Sequence, residues 1–215
     1  MEVTGPLLSA AVAANRLLGS AQVLARWDQP SALDDYSVGG LAGHLFRAIG
    51  RIEVLLAAPE PRSARIVGVA EFFGAARIET PSDRDSPFQR AARRDGERAG
   101  AAGARAVASG FDELVHRLVG SIEGVRPERL VPVLTIPDAA TTFEDYLRTR
   151  VVELVVHTDD LAVSCGLDAP QPPDGAATIA IGVLMELARS RHGSLAVIRG
   201  LARVERAQVD CFRAL

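Results

Sequence analysis

Apolar residues recur along this chain at spacings of three and four, the period of a helix face. From residue 6 to 26, Leu7, Leu8, Ala11, Val12, Leu18, Val23 and Leu24 follow it, and Trp27 and Pro30 end it. A second run, 38–57, carries Leu41, Leu45, Ala48, Ile49, Ile52, Leu55 and Leu56, with Ser37 placed as its N-cap. A third starts at Pro87 or Ala91, rich in Ala and Arg, and sharpens into Phe111, Leu114, Val115, Leu118, Val119 and Ile122 before ending at Glu123. Gly96, Gly100 and Gly103 weaken its first half. A fourth opens on Thr141-Thr-Phe-Glu144, which reads as a capping box with Thr141 as N-cap, and stops at Cys165 ahead of Gly166. Its length of about 24 residues gives about 36 Å, enough to span a bundle. A fifth covers 175–191, capped by Asp174, with Ile179, Ile181, Val183, Leu184, Leu187 and Ala188 as its apolar set. Residues 194–201 and 202–212 read as short outer helices. Between these, 59–90 is the least regular part, with a short helix inside 67–76 and an exposed, turn-rich stretch at 80–87. Residues 131–137, flanked by prolines, form a short extended connector. The pattern predicts an all-α protein: an antiparallel four-helix bundle over 1–168 and a helical C-terminal extension, 169–215, packed on it.

The fourth helix carries the chemistry that does not fit its surroundings. Five of the six residues from Val151 to Val156 are apolar, on every side, as in a buried helix. Yet Glu153 and His157 lie four apart, one above the other on a single face. A buried carboxylate needs a counter-charge or hydrogen-bond donors. A divalent metal meets that need, and so does a Glu–His hydrogen-bonded pair facing a crevice. On the second helix His44 falls beside Leu41, Ala48 and Leu55, as a core histidine or as a ligand. Gly39, Gly40 and Gly43 leave room near it for a close helix contact or for a bound molecule. Were the second and fourth helices to face each other, His44, Glu153 and His157 would supply two imidazoles and a carboxylate with a fourth position open, a recognised catalytic-zinc set. Asp160, one turn on, is either the acceptor that orients a ligating histidine or a surface Asp in a cap or ion pair. Arg90, Arg93, Arg94 and Arg98 form a solvated face, or one of them reaches into a pocket to hold an anionic substrate.

Composition narrows the function classes. The chain has 215 residues, 48% of them hydrophobic, and a mean hydropathy of +0.14, as a globular protein does. A net charge of −3 and a pI near 5.8 give no electrostatic reason to expect nucleic acid or an anionic membrane. All 24 basic residues are Arg. Cys165 and Cys211 do not make a disulfide framework, and Cys165 reads as a small buried hydrophobe. His116 sits off the apolar stripe, and His192 suits the last turn of its helix through the dipole. No signal-type segment opens the chain, and no apolar run reaches the ~18 residues of a membrane span, so a cytoplasmic location is expected. There is no G-x-G-x-x-G, P-loop, H-E-x-x-H, C-x-x-C or G-x-S-x-G.

Four stretches resemble a known family. These are Trp27…Pro30-Ser31-x-Leu33, Tyr36-Ser37-Val38-x-x-Leu41-x-x-His44-Leu45, Arg150-x-x-Glu153-x-x-x-His157-Thr158-x-Asp160-Leu161, and the C-terminal Leu187-Ala-Arg-Ser-Arg-His-Gly…Val197-Ile-Arg…Arg203-x-Glu205-Arg206. They look like the DinB-like mycothiol-dependent maleylpyruvate isomerases. The resemblance implies a DinB-type four-helix bundle whose divalent metal, usually zinc, is held by His44, Glu153 and His157. The fourth position would take water or the thiol of mycothiol or a similar small cofactor. It implies an isomerase or thiol S-transferase acting on a small electrophile; both a monomer and a homodimer are compatible with the sequence. Tyr36 stands where the family often has Trp, and 58–110 departs from the isomerase. The family's substrate-holding arginine therefore has no matched position; Arg94 is the candidate. The competing readings are a non-catalytic metal- or ligand-binding bundle and a metal-dependent hydrolase in which water replaces the thiol.

Overall fold

The computed structural model describes residues 3–76, 85–203, 205 and 212. In chain order the elements are α1 (Thr4–Leu18), α2 (Ala21–Ala25), α3 (Val38–Ala57), β1 (Arg65–Ile66), α4 (Val69–Phe72) with a 3-10 turn after it (Phe73–Ala76), α5 (Pro87–Gly100), α6 (Ala104–Ile122), β2 (Leu130–Pro132), β3 (Ala139–Thr142), α7 (Phe143–Ser164), α8 (Asp174–His192) and α9 (Ser194–Ala202). The long helices α1, α3, α6 and α7 pack together, α5 lies along α3, and α8 lies along α7 and α1. This is an all-α, DinB-like helical fold with additional C-terminal helices. One continuous core runs from Leu7 and Leu18 through Ile49, Phe111 and Leu154 to Val183, so α8 shares it with the bundle. No helix among the described residues is long and apolar enough to cross a membrane.

Two of the expected helices are each a pair. The first ends at Gly19, and Ser20, extended at ψ 147°, restarts it by accepting a hydrogen bond from the Val23 amide at 3.4 Å. The third breaks at 101–103, where Gly103 takes φ +91°, a conformation that costs a residue without a Cβ little. The cap of α7 is also displaced. Thr141 is paired with Val131 in the sheet, so the backbone stays extended one residue further. Thr142 is the true N-cap, accepting from the Asp145 amide at 3.1 Å. Thr141 is buried, its hydroxyl without a hydrogen-bond partner among the described residues. Pro173 holds the cap position of α8, and Asp174 is its first residue. Val12, Val119 and Ile181, counted on apolar faces from spacing, are exposed. The expected outer helix at 202–212 and Cys211 lie largely outside the described residues, as does most of 80–87.

The small sheet was legible only in part. The expected connector becomes β2, and β3 sits at the centre of the order β1-β3-β2, parallel to β1 and antiparallel to β2. Val67, Val133 and Ala139 form its own apolar cluster. Pro132 of β2 and, just after it, Leu134 and Thr135 line the same space as Tyr146, Arg150 and Glu153 of α7.

The contact between α3 and α5 is set by missing side chains. A Cβ on Gly43 would lie 2.3 Å from the Gly96 carbonyl oxygen and 2.5 Å from the Gly100 nitrogen. The two backbones touch, so of the two uses of room near His44 the helix contact is the one realised at Gly43. Charge then locks the pair. Ser37 caps α3 by accepting from the Gly40 amide at 2.8 Å. Its own N–H and hydroxyl donate to the two oxygens of Glu97 on α5, at 2.7 and 2.8 Å. A carboxylate at a helix N-terminus also meets the positive end of the dipole. Arg47 on α3 pairs with Asp95 on α5 at 2.9 Å.

Candidate metal centre

The packing of α3 against α7 brings His44, Glu153 and His157 together. Ser37 starts α3 about two turns before His44. On α7, the i, i+4 spacing stacks Glu153 and His157 on one face. The Nε2 atoms of His44 and His157 each lie 3.3 Å from Glu153 Oε2. One ligand atom from each residue falls within 4.8 Å of the others. The two imidazole rings stand nearly perpendicular, 88°, with centroids 4.9 Å apart. The face is not sealed in a dry core: the three side chains keep 21%, 17% and 19% of their surface. Val155 and Val156 are half-buried as well, so α7 is not enclosed on every side.

The neighbours of these three fix their orientation and charge. His157 Nδ1 meets Asp160 Oδ2 at 2.9 Å, which places Asp160 as the orienting acceptor rather than a surface residue. Arg150, almost fully buried, places Nη2 3.8 Å from Glu153 Oε1, the oxygen the histidines leave. Its guanidinium is itself held by the Ala48 carbonyl at 3.3 Å and Thr149 Oγ1 at 3.1 Å, and lies 4.9 Å from the Tyr146 ring centroid. Burial alone would raise the Glu153 carboxyl; hydrogen bonds from His157 and His44 and the Arg150 charge overcome it and hold the group well below the usual carboxylate range. Burial would lower His157, but Asp160 and Glu153 push it up to about 9. His44 goes the other way, lowered by burial in spite of its Glu153 partner.

This donor set fits a divalent ion. A tetrahedral ion with bonds of about 2.0–2.1 Å separates its ligand atoms by about 3.3 Å. Both Nε2–Oε2 distances already have that value. Two imidazoles and one carboxylate suit zinc and leave one position for a further ligand. Asp160 completes the carboxylate–histidine relay that metal-ligating histidines use.

Beside the cluster lies a cavity of about 250 Å³, lined from α3, α4, α5, α7 and the sheet. His44 and Glu153 form part of its wall, so a ligand in the cavity reaches the candidate metal position. The arginines of the wall are Arg47, Arg51 and Arg150. Arg94 is on the exposed side of α5 and is not among the lining residues. Arg93 is more enclosed, with Asp85 at 3.3 Å and Asp35 at 3.8 Å. Sequence reasoning overlooked Arg47, Arg51 and Tyr146 and gave Arg150 no role beyond its place in the motif, although a signal was present. Arg47, Ala48, Arg51 and Leu55 continue the His44 face at helical spacing, and Arg150 follows Tyr146 by four. His116 is exposed, hydrogen-bonded to its own helix, and His192 closes α8, both apart from the cluster. Cys165 is buried at the end of α7, in the core.

Residues 8–162 match the family model described as the mycothiol maleylpyruvate isomerase N-terminal domain. No curated protein and no solved structure gives a significant match to the chain.

Proposed function

The chain belongs to the mycothiol maleylpyruvate isomerase N-terminal domain family, and from that premise we propose that it is a divalent-metal enzyme joining a low-molecular-weight thiol to a small electrophile. The single observation that supports this most is the convergence of His44, Glu153 and His157 on one point beside a cavity. Zinc is the ion that best suits the donors, and mycothiol or a similar thiol is the cosubstrate the family points to. A divalent ion held there supplies positive charge that keeps a thiol in its nucleophilic, ionised form. Glu153 and the two imidazoles bind; Asp160 fixes the ring of His157; Arg150 holds the second oxygen of Glu153 so that the first stays turned to the histidines. The chemistry is attack of thiol sulfur on an activated carbon, the S–H proton passing to solvent: a C–S bond forms as the C=C π pair shifts onto the conjugated carbonyl, or, on an aryl halide, as halide leaves. If the sulfur stays, the protein is an S-transferase. If it leaves again after rotation about the former double bond, the protein is an isomerase.

The test is turnover of 1-chloro-2,4-dinitrobenzene or a cis-enoic acid by zinc-loaded protein, with and without mycothiol or cysteine. Thiol-dependent turnover that chelation abolishes and zinc restores is the expected result. Zinc-dependent turnover that ignores the thiol would replace this reading with a hydrolase. No turnover in the Glu153→Ala variant, with its zinc lost, ties the activity to the cluster.

A further inference from the structure

The cavity wall is unusual for this chain. Aromatic residues are only 5% of the sequence, yet three of its seven Phe and one of its two Tyr (Phe72, Phe73, Phe88 and Tyr146) line this one space. Phe72 stands edge-on to Phe73 and to Tyr146, with centroids 5.7 and 6.0 Å apart. Such edges and faces are what a further aromatic ring packs against. The volume is informative too. An engineered apolar cavity of about 150 Å³ takes up benzene. About 250 Å³ therefore holds one ring with a short substituent.

Two polar groups in the wall have no hydrogen-bond or ion-pair partner among the described residues. Arg47 is matched by Asp95 and Arg150 by Glu153, but Arg51 makes no hydrogen bond or ion pair among the described residues. The Tyr146 side chain is 98% removed from solvent, and its hydroxyl is buried without a hydrogen-bond partner. A buried hydroxyl without a partner, as at Tyr146, is destabilising; Arg51 is half-buried, a cation at the cavity wall with no carboxylate bonded to it among the described residues. Tyr146 and Arg51 lie close enough to act on each other electrostatically, the arginine charge favouring the ionised phenol, while burial raises Tyr146 more strongly. Burial and the like charges of Arg47 and Arg150 lower the Arg51 guanidinium more than Tyr146 and Asp95 raise it.

We infer that the cavity is a binding site for a one-ring aromatic carboxylate, its ring among Phe72, Phe73 and Phe88 and its carboxylate on Arg51 and the Tyr146 hydroxyl. The ligand supplies the acceptor both groups lack. It also leaves room beside His44 and Glu153 for an electrophilic substituent of the ring, such as an activated alkene, which the reaction proposed above requires. This names the substrate class of the reaction proposed above, and rests on that reading only for the claim that the bound acid reacts; the binding itself does not require it.

The experiment is calorimetric titration of the full chain, metal-free and zinc-loaded, with benzoate and phenylacetate. Benzyl alcohol is the probe with a ring and no charge, and succinate the probe with charge and no ring. At least one of the aromatic acids should bind about tenfold more tightly than either control. Arg51→Gln should weaken it by about tenfold or more, the loss expected of one charge-assisted hydrogen bond, and Tyr146→Phe by several-fold. Benzyl alcohol should bind both variants as it binds wild type, which also reports that the cavity is intact. Succinate binding as tightly as the aromatic acids, an unchanged affinity in Arg51→Gln, or no binding of either acid at about 10 mM, the range of barely measurable affinity, would overturn the inference. Binding that appears only with zinc and ignores Arg51 would also overturn it, because the carboxylate would then sit on the ion. Arg51-dependent binding to a protein that holds no zinc would keep this site and sink the metal-and-thiol reading. Zinc binding with no site for the aromatic acids would do the reverse.

Discussion

Gly43→Ala and Gly120→Ala are the same chemical change in two helices, and the structure gives them opposite signs. At Gly43 the new methyl meets the Gly96 carbonyl oxygen at 2.3 Å and the Gly100 nitrogen at 2.5 Å. An ordinary contact needs about 3.4 Å or more, so α3 and α5 must part by about 1 Å. Both obstructing atoms are backbone, and no side-chain rotation relieves them. Parting the helices also stretches the Ser37–Glu97 and Arg47–Asp95 pairs. Overpacking of this kind costs about 1–3 kcal/mol, and the strained polar pairs put the expected loss at the upper end. For a chain of this size that lowers the melting temperature by about 4–10 °C. At Gly120, on the exposed side of α6, an added Cβ meets nothing within 4 Å. Alanine there gains helix propensity and should stabilise by about 0.5–1 kcal/mol. Urea titration of metal-free protein, with matched m-values, measures both. A Gly43→Ala protein within 0.5 kcal/mol of wild type (about the scatter of a neutral surface change) would refute the close backbone contact, whatever Gly120→Ala does.

Other consequences follow from the site and its supports. Asp160→Asn replaces the carboxylate that orients His157 with a neutral amide, and should weaken divalent-metal affinity by about 10–100-fold in a competition titration while the metal-free protein keeps the circular dichroism of wild type. Metal-free protein should lose stability with rising pH: His157, raised from 6.5 to about 9, contributes fully below pH 6.5 and less as pH climbs through 9. The loss is on the order of 3 kcal/mol, read by urea unfolding at pH 6 and pH 9.5. Glu153 acts at the other end: its depressed pKa contributes above the ordinary carboxylate range and is lost as acid protonates it. Metal binding at pH 7 should release about one proton, seen as a dependence of the calorimetric enthalpy on buffer, because His157 must give one up to ligate. Ser37→Ala removes both the cap of α3 and a donor to Glu97, and should destabilise by about 1–3 kcal/mol; a loss under 0.5 kcal/mol would mean that Glu97 finds its donors elsewhere.

The metal candidates were legible because they violate their setting. Glu153 and His157 stand in an apolar helix, and helical spacing alone puts them on one face. His44 needed more, since its nearness to them depends on how α3 packs on α7, and the resemblance of the flanking residues supplied that. The helix ends were less legible. Thr141 and Thr142 are chemically equivalent caps, and only the pairing of β3 with β2 decides between them. Strands as short as β1, two residues, carry no periodic signal. The third helix was read as one because alanine and arginine favour helix on both sides of Gly103, whose positive φ is invisible until the chain turns there. The glycines of α3 were noticed, but spacing could not say that α5 would fill the gap. Arg94 was chosen from a charged run in which every arginine has the same local signal; the cavity instead takes its arginines from α3 and α7, where an arginine amid apolar neighbours is the rarer event.

The most direct test is the metal content of untagged protein, wild type and His157→Ala, by elemental analysis after incubation with excess zinc and desalting. The account predicts about one ion per wild-type chain and none in the variant, with both proteins folded by circular dichroism. Wild-type protein that retains no stoichiometric metal, or His157→Ala protein that retains it all, would contradict it. His44, Glu153 and His157 would then be a hydrogen-bonded network on the wall of a cavity, and the chain a bundle that binds its ligand without a metal.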